Sequence, residues 1–184
     1  ISRGLVGSEM CIRDSTLGAS LAMGNACVLK PSEEACLTAL AIGQLANDAG
    51  FPEGSINIVP GLGEKAGSSL IKHPDINHIS FTGSVEIGKK VQTEAAKNLI
   101  PVTLELGGKS PQIVFEDANL EKALPFLINA GIQNAGQTCS ASSRILVSKK
   151  IYAELIDKMS KLYCKLKVAQ ARDDKDLGPV ISSR

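Results

Sequence analysis

Short apolar segments recur along this chain at intervals of about 25 residues with helical stretches between them, the alternation of an α/β domain built on a parallel sheet. Ala26-Cys27-Val28-Leu29, Ile56-Asn57-Ile58-Val59 and Asn77-His78-Ile79-Ser80-Phe81 read as strands. Between the first two, Leu37, Leu40, Ala41 and Leu45 fall on one face of a helix that stops near Gly50, with Pro52 beyond. A turn at Pro60-Gly61-Leu62-Gly63 and a short helix over 64–71 lead to the third. In open parallel sheets ligands bind at the carboxyl ends of the strands, so the residues just after each strand are the ones to inspect.

Two such positions carry polar groups. Pro31 forces Lys30 into an extended conformation, which ends the first strand with the lysine at its carboxyl end. Ser32 is the expected N-cap, with Glu33 and Glu34 in the first turn where the helix dipole favours them. After the third strand, Thr82-Gly83-Ser84-Val85-Glu86-Ile87-Gly88 opens a helix whose free N–H groups and Ser84 hydroxyl can hold a phosphate. It is not the G-x-G-x-x-G fingerprint. Taken alone, it is equally a plain helix cap, and Lys30 with Glu33 is equally a solvated surface pair.

Val102-Thr103-Leu104-Glu105-Leu106 places a carboxylate inside an apolar run, where burial is costly unless the group is used or paired. The alternative is a strand glutamate on a solvated alternating face. Gly107-Gly108 then marks a domain boundary. A second α/β unit follows: strand Gln112-Ile113-Val114-Phe115, a helix from about Asn119 that Pro125 and Gly131 should kink or shorten, and strand Arg144-Ile145-Leu146-Val147. A last amphipathic helix over 150–167 carries Ile151, Leu155, Met159 and Leu162 on one face, with Met159 as core filler. Before the second of these strands lies Gly136-Gln137-Thr138-Cys139-Ser140, a cysteine among small and polar residues after an apolar helix. Such a cysteine is either a nucleophile presented at a loop beside backbone N–H groups or a small buried hydrophobe.

Leu104-Glu105-Leu106-Gly107-Gly108-Lys109-Ser110 and Asn134-Ala135-Gly136-Gln137-Thr138-Cys139 together resemble the glutamate and cysteine signatures of the NAD(P)-dependent aldehyde dehydrogenase family. The likeness runs from about Leu17 to the end of the chain. It implies a Rossmann-like parallel sheet with crossover helices over 16–106, part of the cofactor-binding domain, followed over 107–184 by the start of a second α/β catalytic domain. By the same resemblance Cys139 is the nucleophile, its backbone N–H an oxyanion donor, and Glu105 the base that activates water. Lys30 and Glu33 would bracket the adenosine ribose beside Ser32. Gly63 would lie against the adenine, Gly83 and Ser84 at the phosphates, and Ile87 and Leu106 beside the cofactor. A carboxylate that accepts both ribose hydroxyls repels a 2′-phosphate, which favours NAD over NADP. The implied substrate is a small-molecule aldehyde, and the family's usual state is a homodimer or homotetramer.

One catalytic position departs from the pattern. The family carries a Pro-Trp-Asn-type motif whose asparagine helps bind the oxyanion; its spacing from Lys30 lands near Gly7, and no asparagine precedes Asn25. Residues 1–15 are therefore expected to be a non-family segment, and the family pattern would continue past the last residue.

Other functions find little support. A net charge of +1 with 3% aromatic residues offers a nucleic acid neither a basic surface nor a stacking platform. No apolar run reaches membrane-spanning length. Five cysteines without a C-x-x-C pair argue against a disulfide framework and a zinc site, and for a reducing, cytoplasmic compartment. His73 and His78 lack ligand spacing and are read as structural, so no metal is expected. The competing readings are a dinucleotide-binding module with an inert Cys139, a relative that passes its thioester to coenzyme A, and a purely structural fragment.

Overall fold

The computed structural model describes residues 13–183. In chain order it forms α1 (Ala19–Ala22), β1 (Cys27–Leu29), α2 (Leu37–Asp48), β2 (Ile56–Ile58), α3 (Ser68–Ile71), β3 (Ile79–Gly83), α4 (Val85–Lys97), β4 (Val102–Leu106), β5 (Pro111–Val114), α5 (Leu120–Ile132), β6 (Arg144–Val147) and α6 (Tyr152–Tyr163). A π-helical turn, Gly63–Gly67, leads into α3. The chain divides into two compact units, with the break between Leu106 and Gly107.

Every ladder between these strands is parallel and joins consecutive strands: β1 with β2, β3 with β4, β5 with β6. Each pair is closed by one long helix, α2, α4 and α5 in turn, because a parallel pair needs a crossover of at least a dozen residues. The Rossmann-like parallel pairing with crossover helices expected over 16–106 is present as two βαβ ladders, β1 with β2 and β3 with β4. In the first unit Ile79, Val91, Ala95 and Ile100 form a core between α4 and the β3–β4 pair. In the second, α5 and α6 bury Leu120, Leu124, Leu127, Ile128, Leu155 and Met159 against Val114 of β5. Met159 is core filler, as its position on the apolar face implies.

Three expectations need correction. The leucine face of α2 does not pack on the sheet: Leu37 and Leu45 are 79% and 64% exposed, and the buried residues are Ala39 and Ala46. With Gly43 these form a small-residue stripe on the opposite side, and a Cβ at Gly43 would lie only 2.9 Å from Ile58 Cγ1. Helix and strand therefore meet at a distance no leucine permits. Next, β3 begins and ends two residues later than its apolar run suggests, because pairing with β4 runs from Ile79↔Val102 to Gly83↔Leu106. Finally, α5 continues through Pro125, which it holds internally, and through Gly131, where a Cβ would meet Tyr163 Oη of α6 at 2.9 Å.

Candidate functional site

The carboxyl ends of β1 and β2 carry the first polar cluster. Lys30 follows β1, and its Nζ donates to the carbonyls of Pro31 (2.7 Å) and Gly61 (3.0 Å) while pairing with Glu33 Oε1 at 3.7 Å. The same Glu33 oxygen accepts the N–H of Gly63. Its own backbone N–H, then that of Gly63, then the Lys30 ammonium hold the Glu33 carboxyl below its ordinary value of 4.5, against a small opposing push from burial. Glu33 is therefore ionised at neutral pH. Ser32 accepts the Glu34 N–H at 3.4 Å and caps a 3-10 turn, Glu33–Ala35, that precedes α2.

A second cluster sits where β3 and β4 end. Ser84 caps α4 by accepting the Ile87 N–H at 3.3 Å, and the N–H groups of Val85 and Glu86 meet no acceptor among the described residues. A helix start with unspent donors attracts anions. Gly83 lies so close to its own sheet that a Cβ would approach Phe81 Cζ to 2.6 Å, and Leu106, its partner in the ladder, fills the space a Cβ of Gly88 would need. Ile87 is half-exposed one turn into the helix. Thr82 Oγ1 is buried without a partner among the described residues, a polar atom left for a ligand to satisfy.

Glu105 stands opposite Thr82 in that ladder. Of the two settings open to it, Glu105 takes the solvated alternating face, for it is exposed. Strand alternation turns Leu104 toward the packed core and leaves its neighbour Glu105 on the open face.

Cys139 belongs to the other unit, on the connection between α5 and β6, and is exposed rather than buried. The connection is unusual in its backbone: Asn134, Ala135 and Gly136 are all left-handed, with φ of 51°, 55° and 78°. A turn closed by the Ala141 N–H on the Thr138 carbonyl (3.0 Å) presents the cysteine, and Ser110 Oγ, just ahead of β5, donates to the Cys139 carbonyl at 3.2 Å. The N–H of Cys139 has no acceptor among the described residues. Sequence reasoning gave no role of their own to Ser110, Thr82, Asn134 or Gln137, although all four lay inside motifs already singled out. Cys27 and Cys36 are half-buried and Cys164 is exposed, all as free thiols.

Of the histidines, His78 shares a hydrogen bond with Thr103 Oγ1 at 3.2 Å, and His73 Nδ1 accepts the Asp75 N–H at 3.3 Å. Among the described residues no three metal-ligating side chains gather, and no helix is long and apolar enough to cross a membrane. The oxyanion position expected near Gly7 lies outside the described residues.

Comparison with known proteins gives a consistent result. A model of the aldehyde dehydrogenase family matches residues 10–184, starting somewhat before Leu17. DhaS of Bacillus subtilis (strain 168), named as a candidate aldehyde dehydrogenase, is 48% identical over 167 residues, which cover 90% of this chain and 34% of that protein. A crystal structure of a protein from Burkholderia cenocepacia, also named as a candidate aldehyde dehydrogenase, superposes with a TM-score of 0.92 at 53% identity over 95% of this chain and 37% of its own. Betaine aldehyde dehydrogenase from Staphylococcus aureus, solved with NAD+, gives 0.86 at 39% identity over 91% and 33%. The chain thus spans about a third of the length of the relatives it matches.

Proposed function

Since the chain belongs to the aldehyde dehydrogenase family, we propose that it supplies the nucleotide-binding strand ends and the nucleophile of an enzyme that oxidises an aldehyde to a carboxylic acid. We read it as a piece of such an enzyme, with 16–106 serving the cofactor and 107–184 the chemistry. The observation that carries this reading is an exposed cysteine on a hydrogen-bonded turn with its own N–H unspent.

Bound NAD supplies the hydride acceptor. The two polar clusters fit such a dinucleotide. The free N–H groups of Val85 and Glu86 suit a phosphate, and the Thr82 hydroxyl awaits a partner. Ionised Glu33 suits ribose hydroxyls and disfavours a 2′-phosphate, so NAD is preferred over NADP.

In the reaction the Cys139 thiolate adds to the aldehyde carbon, and the Cys139 N–H donates to the oxygen as it becomes negative. Departure of the hydride leaves an acyl group on the sulfur as a thioester. Glu105 takes a proton from a water molecule that attacks this thioester, which releases the carboxylic acid and the free thiol. A single oxyanion donor is weaker than two: losing one costs roughly 100- to 1,000-fold in rate. A free thiol calls for a reducing, cytoplasm-like compartment, and a dimer or tetramer is the expected assembly.

The test is the formation of NADH by the full-length gene product from propanal, benzaldehyde and betaine aldehyde. Cys139→Ala should abolish it and leave NAD binding intact. Turnover that survives Cys139→Ala ends the reading.

A further inference from the structure

The backbone leading to Cys139 is one that residues with a Cβ rarely adopt. Three left-handed residues stand in a row, and of these Ala135 has neither the freedom of glycine nor the local hydrogen bonding that eases asparagine into this region. Something must hold it, and the hydrogen bonds identify Gln137. Both its backbone N–H and its side-chain Nε2 donate to the Asn134 carbonyl, at 3.0 and 3.1 Å. Asn134 answers with Nδ2 on the Gln137 carbonyl at 3.1 Å. The remaining polar atom of the glutamine, Oε1, accepts the N–H of Ile181 at 2.8 Å, which ties the turn to a segment 44 residues further on.

We propose that Gln137 is a positioning residue for Cys139. Its amide locks the left-handed turn on one side and anchors it to the backbone at Ile181 on the other. This fixes the direction in which the thiol and N–H two residues later face, without any contact to substrate. The inference rests on the reading of Cys139 as nucleophile. It requires an amide, because the two grips need a donor and an acceptor on one planar group. Glutamate at 137 keeps the acceptor for Ile181 and loses the donor for Asn134; methionine keeps the length and loses both.

The experiment follows the pre-steady-state burst of NADH in the full-length enzyme with NAD and propanal, alongside NAD affinity by fluorescence titration. Misplacing a reacting group by about 1 Å costs on the order of a hundredfold. Gln137→Met is accordingly expected to lower the burst rate constant about 10- to 100-fold. Gln137→Glu should fall between it and the parent, and NAD affinity should stay within about twofold, as expected when the lost interactions serve positioning rather than cofactor binding. A structural role alone would shrink the burst amplitude through loss of folded enzyme and leave the rate constant of the remainder unchanged. That result, or a parental rate constant in Gln137→Met, overturns the proposal. Gln137→Glu, which loses the donor to the Asn134 carbonyl and keeps the acceptor for Ile181, serves should Gln137→Met not fold. A rate constant unchanged in Gln137→Glu is equally decisive against it. If the parent enzyme itself shows no burst and Cys139→Ala changes nothing, the reading of Cys139 falls and takes this inference with it.

Discussion

Replacing Gly88 by alanine sets two effects of known size against each other. Alanine in a helix interior is favoured over glycine by about 0.8–1.0 kcal/mol. Here, however, the new methyl would stand 2.6 Å from Leu106 Cδ2 and 3.1 Å from Cδ1. Carbon contacts are comfortable at about 3.5–4.0 Å, so Leu106 must retreat by roughly 1 Å. Overpacking of this kind costs about 1–3 kcal/mol. The expected net effect is a loss of about 1 kcal/mol, read as a lower urea midpoint with an unchanged slope. The decisive comparison is made in a Leu106→Ala background, where the obstacle is gone and Gly88→Ala should stabilise by up to about 1 kcal/mol. The sign therefore reverses between backgrounds, a coupling of about 1–3 kcal/mol in the double-mutant cycle. If Gly88→Ala stabilises equally in both, Leu106 does not press on α4 and the packing argument for this strand end fails.

Leu155, 1% exposed at the centre of the α5–α6 core, should lose about 2–5 kcal/mol on truncation to alanine in chemical denaturation. Leu37→Ala, on the face of α2 turned away from the sheet, should change stability by less than about 0.5 kcal/mol. A large loss there would restore the leucine face as the buried one. The Glu33 carboxyl is held below 4.5, so its ionised form stabilises the fold above that pH and the contribution disappears as pH falls through the lowered value. Urea midpoints of the parent and Glu33→Gln should accordingly differ at neutral pH and converge below 4.5; a gap that widens in acid would contradict the assignment.

The strands and the polar residues that stop or cap the elements at their ends were legible because each rule involved is local. Pro31 stops β1 at Lys30, Ser84 caps the helix it precedes, and parallel pairing follows from the helix between each pair. The face of α2 was not legible from its leucines. A helix with Leu37, Leu40 and Leu45 on one side and Ala39, Gly43 and Ala46 on the other has two apolar faces, and the choice depends on how closely Ile58 approaches. Glu105 was left between two settings for a related reason: an apolar run fixes which strand a residue belongs to, whereas the packing of that strand decides which of its alternating faces is covered. The clasp around Gln137 joins residues 44 positions apart, and no periodicity reports such a bond. Nor does any propensity foresee a left-handed Ala135, a conformation imposed by the neighbours that bind it.

The central claim, that Cys139 carries the acyl group and Glu105 releases it, is tested most directly by mass spectrometry of the full-length gene product bearing Glu105→Gln after mixing with NAD and propanal. The account expects a propanoyl adduct on the peptide containing Cys139, formed in step with NADH and persisting where the parent enzyme has already returned to the free thiol. An unmodified Cys139, or an adduct found instead on the exposed Cys164, would contradict it.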